Sequence, residues 1–220
     1  LKPVILLDEL TNRKLRRKYH VADEYDYREN SIYKTYLACD AVSDEILLRN
    51  HYRCNKKIID FNNKKYYNSK LQVQSDSRER QPLVYVNVDG GPGDMKNTSP
   101  AEVEEIMRYA GENPDKSIAV ITPFVNQRIL IERGIKENGF EHVVCGTVHA
   151  FQGDEKDVVL FSTALSDRTG KGTYDWLNNN KELINVATSR AKDKLILLAD
   201  GKELERLHQG NEDDDLYELV

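Results

Sequence analysis

The chain has 220 residues, 39% apolar and 31% charged, enough to build a core, and no run approaches the roughly 18 apolar residues that a membrane span needs. Nothing near Leu1 reads as a signal peptide. The three cysteines, Cys39, Cys54 and Cys145, are too scattered for a disulfide framework or a Cys-x-x-Cys metal site, so the expectation is a soluble, cytoplasmic chain with reduced thiols, no membrane partner and no protein-held metal.

The formal charge of -5 hides an asymmetry along the chain. Residues 200–220 hold eight acids and two bases, which leaves 29 acids and 30 bases in residues 1–199. That body is electrostatically neutral, and any nucleic-acid contact must come from local geometry rather than from a global basic field. The acidic end, 209–220, is expected as a solvated tail.

The first 80 residues are the least regular. Leu6-Leu7-Asp8-Glu9 has the look of a strand ending in the acid pair that holds magnesium in P-loop ATPases, but no P-loop accompanies it. Residues 20–35 are polar and aromatic-rich without clear period, while 44–48 and 55–70 have helical patterns. The stretch 1–80 is expected as a helical or irregular lead-in packed on the core, not a separate domain.

From Gln81 onward strand-like and helical runs alternate. Residues 83–88 read as a strand broken by Gly90-Gly91-Pro92-Gly93. Thr98 or Ser99 caps a helix over 100–112, with Pro100 in its first turn and Glu102, Glu104 and Glu105 near the positive end of its dipole. Residues 117–122 form a short apolar run, as expected of a strand buried on both faces, and a helix over 126–138 is stopped by Gly139. Strands at 142–148 and 157–165, a helix at 180–192 and a strand at 194–199 complete the series, with Gly170-Lys171-Gly172-Thr173 expected as a mobile loop. This alternation predicts an α/β domain over 81–208, with a mostly parallel sheet and helices on both sides. Ligands bind such sheets at the C-terminal strand ends, where Thr122-Pro123, Thr147-Val148-His149 and the loop after Leu165 fall.

Three segments carry chemistry: 48–53, containing Asn50-His51-Tyr52-Arg53; 146–155, reading GTVHAFQGDE; and 183–192, reading LINVATSRAK. Singly, the first two read as packing plus a surface charge and as a turn. Arg190 is harder to dismiss, because Leu183, Ile184, Val186, Ala187 and Ala191 suggest burial on most sides, and a buried arginine needs a partner, for which a phosphate is the best geometric match to its planar fork.

Together, and in this order, the three segments resemble motifs IV, V and VI of superfamily 1 helicases, in the branch that includes the nonsense-mediated-decay and replication-associated enzymes. Thr122-Pro123-Phe124 with Gln127 is similar to the segment that precedes the fifth motif. The resemblance spans 48–199 and implies a three-layer RecA-like (P-loop NTPase-like) fold. It implies that Arg53 and Arg190 are arginine fingers for the γ-phosphate, that Tyr52 stacks on adenine, and that Glu155 bonds the ribose with Gly153 permitting close approach. It further implies that Thr122, Pro123, Thr147 and His149 meet the backbone of single-stranded or duplex nucleic acid, with Ser189 and Gln152 coupling the two sites.

The phosphate-cradling string GxxxxGK[ST] is missing from this sequence. The expectation is therefore a C-terminal RecA-like domain that takes ATP and Mg2+ only together with a first RecA-like domain of the same protein and is inactive alone. Two alternatives compete with it: a non-catalytic helicase-like scaffold, and a nuclease suggested superficially by Asp154-Glu155-Lys156.

Overall fold

The computed structural model describes residues 7–39, 46–89, 95–151 and 155–220, and the chain divides into two compact units, Leu1–Leu48 and Arg49–Val220. The expected single lead-in over 1–80 is thereby corrected: its first part is a unit of its own, and 49–80 belong with the sheet. The smaller unit has helices α1 (Glu9–Lys18) and α2 (Ile32–Cys39). Polar groups hold it together, because Asp26 accepts hydrogen bonds from Asn12 (3.1 Å), Arg16 (2.6 Å) and the Arg28 amide (3.1 Å), whereas Leu10, Ile32 and Tyr36 are exposed. Asp8 and Glu9 do not end a strand. Asp8 caps α1 by accepting from the Thr11 amide, and Glu9 pairs with Arg13 one turn on. Residues 46–48 are not helical, and residues 44 and 45 of that expected helix lie outside the described residues.

In the larger unit a short parallel pair, β1 (Asn50–His51) with β2 (Gln72–Val73), flanks α3 (Lys56–Tyr66). The main sheet contains β3 (Leu83–Asn87), β4 (Ile118–Ile121), β5 (Val143–Gly146), β6 (Lys156–Ser162) and β7 (Ala191–Ala199), ordered β3-β7-β6-β4-β5 with every neighbouring pair parallel. Helices α4 (Pro100–Glu112), α5 (Val125–Asn138), α6 (Lys171–Asn179), α7 (Lys181–Thr188), α8 (Gly201–His208) and α9 (Asp215–Glu218) complete it.

Strand alternation sorts the core into two layers. Ile118, Val120, Val158, Leu160, Ile196 and Leu198 meet Ile106, Ala110 and Ile131 of α4 and α5. Their odd-numbered neighbours Ala119, Ile121, Val159, Phe161, Leu195 and Leu197 meet α3, α6 and α7 through Ile58, Tyr174 and Ile184. This is the three-layer α/β architecture that the alternating runs imply. Ser99 caps α4 and Pro100 opens it, while Gly139, at φ 66°, closes α5 in the left-handed conformation that glycine adopts freely.

Three local expectations change for packing reasons. Residues 171–179 are helix α6, not a loop, because Tyr174, Leu177 and Asn178 recur at helical spacing and are buried. The helix expected over 180–192 ends at Thr188, since Ala191 already pairs with Lys156 in the sheet.

The acidic end is docked rather than solvated, with Asp214, Asp215 and Leu216 each only 1% exposed. Asp214 accepts from the Tyr174 hydroxyl at 2.7 Å and lies 3.1 Å from His208 Nδ1, while Asp215 accepts from the Tyr66 hydroxyl at 2.6 Å and from Lys181 at 3.0 Å. Leu216→Ala is expected to cost about 2–4 kcal/mol, read as a lower urea midpoint. A loss under 0.5 kcal/mol, within the usual range of surface substitutions, would show that the end contributes nothing to the core.

Candidate functional site

The segment between β1 and α3 places Arg53 beside residues far along the chain. Asn55, which caps α3, donates its backbone N–H to the Lys192 carbonyl at 2.7 Å, so this turn is fastened to the start of β7. Cys54 is buried, and its thiol donates to the Ser189 carbonyl at 3.3 Å. Burial pushes that thiol up to about 12, which makes it a packing group and not a nucleophile. The Cys54 N–H donates to His51 Nε2 at 2.9 Å, and burial, aided by the nearby Arg53 charge, holds the His51 pKa below its usual value. A neutral His51 keeps that acceptor available.

With the turn anchored, Arg53 Nε donates to Glu155 Oε2 at 2.6 Å, 102 residues away, and its NH1 group donates to the Ser189 carbonyl at 3.3 Å, 136 residues away. Arg190, the residue after Ser189, is half-buried, and its carbonyl accepts the Lys156 amide at 3.3 Å. The Ser189 carbonyl that Arg53 addresses belongs to the residue before Arg190, so the Arg53–Glu155 pair adjoins the Ser189-Arg190 turn. The Arg53 and Glu155 side chains are 31% and 54% exposed. An ion pair this wet contributes about 0.2–1 kcal/mol, enough to orient the guanidinium and too little to keep it from a phosphate. Tyr52, next in sequence, is 69% exposed.

The cluster does not lie at the C-terminal strand ends that open α/β sheets commonly use. Glu155 precedes β6 and Arg190 precedes β7, so both stand at the N-terminal edge. Thr122 follows β4 and Thr147 follows β5, which puts them at the opposite edge. A seven-residue strand such as β6 separates the two edges by about 20 Å. After Thr147, Val148 and Phe151 of a 3-10 turn (Val148–Phe151) pack in the α3-side core.

At the C-terminal edge the expected residues differ in accessibility. Thr122 is fully buried, and its hydroxyl accepts the Phe124 N–H at 3.4 Å, so the expected hydroxyl contact to a phosphate is corrected: Thr122 shapes the turn from inside. Pro123 and Thr147 are half-buried. The His149 side chain, Gln152 and Gly153 lie outside the described residues. Behind the turn, Gln127 accepts from the Ser99 amide at 2.9 Å and donates to Ser162 Oγ at 3.0 Å.

Ser162 in turn donates to Glu102 Oε2 at 2.5 Å, and Glu102 also accepts from Thr163 Oγ1 at 3.3 Å and from the Ala164 amide at 3.1 Å. Glu102 is fully buried, and burial outweighs these bonds and raises its pKa to about 8. Sequence reasoning assigned Glu102 to the helix dipole. The missed signal is its place on the 102/106/110 stripe with Ile106 and Ala110, the buried side of α4.

The sequence matches a protein family described as "AAA domain" over residues 28–202. The chain belongs to this family, as a RecA-like domain of superfamily 1 helicases. Among its relatives are a mouse protein named 3'-5' exoribonuclease HELZ2, 27% identical over 71% of this chain and 7% of the relative, and the mouse RNA helicase Mov10l1, 28% identical over 77% and 17%. The Drosophila melanogaster Regulator of nonsense transcripts 1 homolog is 28% identical over 70% of the chain and 15% of its own length. The chain therefore spans less than a fifth of each of these three relatives. In this helicase-family domain, no cluster of three metal-ligating side chains occurs among the described residues, and no helix there is long and apolar enough to cross a membrane.

Proposed function

We propose that this chain is the second RecA-like domain of an ATP-dependent helicase or translocase, completing an ATP site whose phosphate-holding half is a P-loop domain. The observation that carries the reading is the convergence of Arg53, Glu155 and the Ser189-Arg190 turn from three distant parts of the sequence. Arg53 and Arg190 stabilise the charge that develops on the γ-phosphate oxygens. Tyr52 offers an exposed ring to the adenine, while Glu155, with Gly153, meets the ribose and holds Arg53 until nucleotide arrives. ATP and Mg2+ come with the P-loop domain, in which the magnesium ligands of such enzymes reside.

The opposite edge of the sheet meets nucleic acid through backbone contacts that carry no sequence information. Pro123, Thr147 and His149 serve there, with Thr122 fixing the turn. Residues 147–155 are the covalent link between the two edges: movement at Glu155 on hydrolysis is transmitted to Thr147. RNA helicase Mov10l1 carries this domain type within a longer protein, which supports the same arrangement here.

The test compares phosphate release by the purified chain with release by a protein joining it to its P-loop domain, each with ATP, magnesium and single-stranded nucleic acid. The chain alone is expected to match buffer, and the joined protein to turn over faster when nucleic acid is added. Turnover by the chain alone, or none by the joined protein, would refute the proposal.

A further inference from the structure

We infer that Trp176 is a stacking platform for a base of single-stranded nucleic acid, an inference that rests on the reading of the C-terminal sheet edge as the nucleic-acid side. Helix α6 buries Tyr174, Leu177 and Asn178, yet turns Trp176 outward with 48% of its surface exposed. The indole is not loose. Its centroid lies 6.1 Å from the Phe124 ring at 38°, and Phe124 is itself only 8% exposed, so a buried ring braces an open one.

The location gives this pair its meaning. Phe124 follows Thr122-Pro123 beyond β4, and α6 follows β6, so both rings stand at the strand ends where Thr147 also lies. Val125, 56% exposed, extends the apolar ledge beside Phe124. Tryptophan gains more from burial than most side chains, and one left half in water at a binding edge is suited to a partner with a flat apolar face. Every nucleic-acid base has such a face, and stacking does not depend on which base it is.

The charge balance supports the same occupant. Residues 1–199 hold 30 bases against 29 acids, so phosphate attraction alone is weak and an uncharged contact has more to contribute. A stacked base also suits a motor, because the contact can be released and remade one nucleotide later.

The chain has a single tryptophan, so its intrinsic emission reports on this one ring. Titration with a labelled oligo-dT or oligo-U is expected to quench that emission in step with the anisotropy of the label. Trp176→Ala is expected to weaken binding about tenfold, and Trp176→Phe to recover most of it. Because stacking neutralises no phosphate, the slope of log affinity against log salt should be the same for all three proteins. Binding with unchanged emission and unchanged affinity in Trp176→Ala would overturn the inference while leaving the nucleic-acid edge intact. Unchanged emission combined with self-association that Trp176→Ala abolishes would assign the ring to a protein contact and overturn it too, and no binding by the native chain would overturn both readings.

Discussion

Alanine in place of Arg190, in a protein joining this domain to a P-loop domain as proposed above, is expected to lower ATP turnover by about a thousandfold or more, with nucleotide binding retained. The two outcomes separate because a P-loop holds the ground-state phosphates, whereas an arginine finger acts on charge that grows during transfer. Arg53→Ala is expected to behave similarly, since its guanidinium sits against Glu155 and the Ser189 carbonyl, one residue from Arg190. Lysine should rescue neither, as a single ammonium cannot reproduce the planar fork. Single-turnover phosphate release, binding of a fluorescent nucleotide and circular dichroism together decide the matter. Turnover within threefold of the native protein would remove Arg190 from catalysis, and loss of fold in both variants would reassign the arginines to structure.

Replacing Glu102 is expected to give the largest stability loss of any polar substitution behind the Thr122 turn. Alanine there leaves the Ala164 amide and the Ser162 hydroxyl without the carboxyl they now address, whereas Thr163 keeps its 2.9 Å bond to the Leu198 carbonyl, and each buried donor left unsatisfied costs about 1–3 kcal/mol. A total of about 2 kcal/mol or more is expected by urea denaturation. Ala164 adds to the demand, because at φ 52° it holds a left-handed conformation that costs a non-glycine residue about 1–2 kcal/mol, and its N–H bond to Glu102 helps to hold it there.

The same carboxyl makes stability depend on pH. Its pKa is about 8 in the fold against 4.5 for an ordinary glutamate, so between those values the folded chain keeps a proton that the unfolded chain has lost. Stability contributed by this group therefore falls as pH rises from about 4.5 to about 8. Glu102→Gln, which keeps a carbonyl acceptor and cannot ionise, should lack that slope. Parallel pH profiles for the native chain and Glu102→Gln would show that the group is charged throughout and is held by its hydrogen bonds alone.

Much of this molecule is local in origin and so was open to sequence reading. The apolar run 118–121, the Ser99-Pro100 helix start and the Gly139 stop each depend on neighbours within a turn or two, and β4, α4 and α5 lie where those signals put them. The order of the three chemical segments identified the helicase family for the same reason: a motif is a short string whose residue types suit one task. Helix α6 and the docked acidic end were missed, because their buried sides, Tyr174 and Leu177 in one and Asp214 to Leu216 in the other, satisfy each other across 40 residues of chain. A run of three aspartates reads as solvated until Tyr66, Tyr174, Lys181 and His208 are brought to it.

By itself the sequence determined the residue types of the candidate site and the elements that carry them. Tertiary structure alone decided their arrangement. Glu155 and Ser189-Arg190 meet at the N-terminal edge because β6 and β7 run parallel with Lys156 paired to Ala191, ahead of a register shift before Val158, and Arg53 joins them because the Asn55 amide is bonded to the Lys192 carbonyl. The threonines fall on the other edge because they follow their strands. Such a division arises from pairing between segments far apart in the chain, and no local signal encodes it.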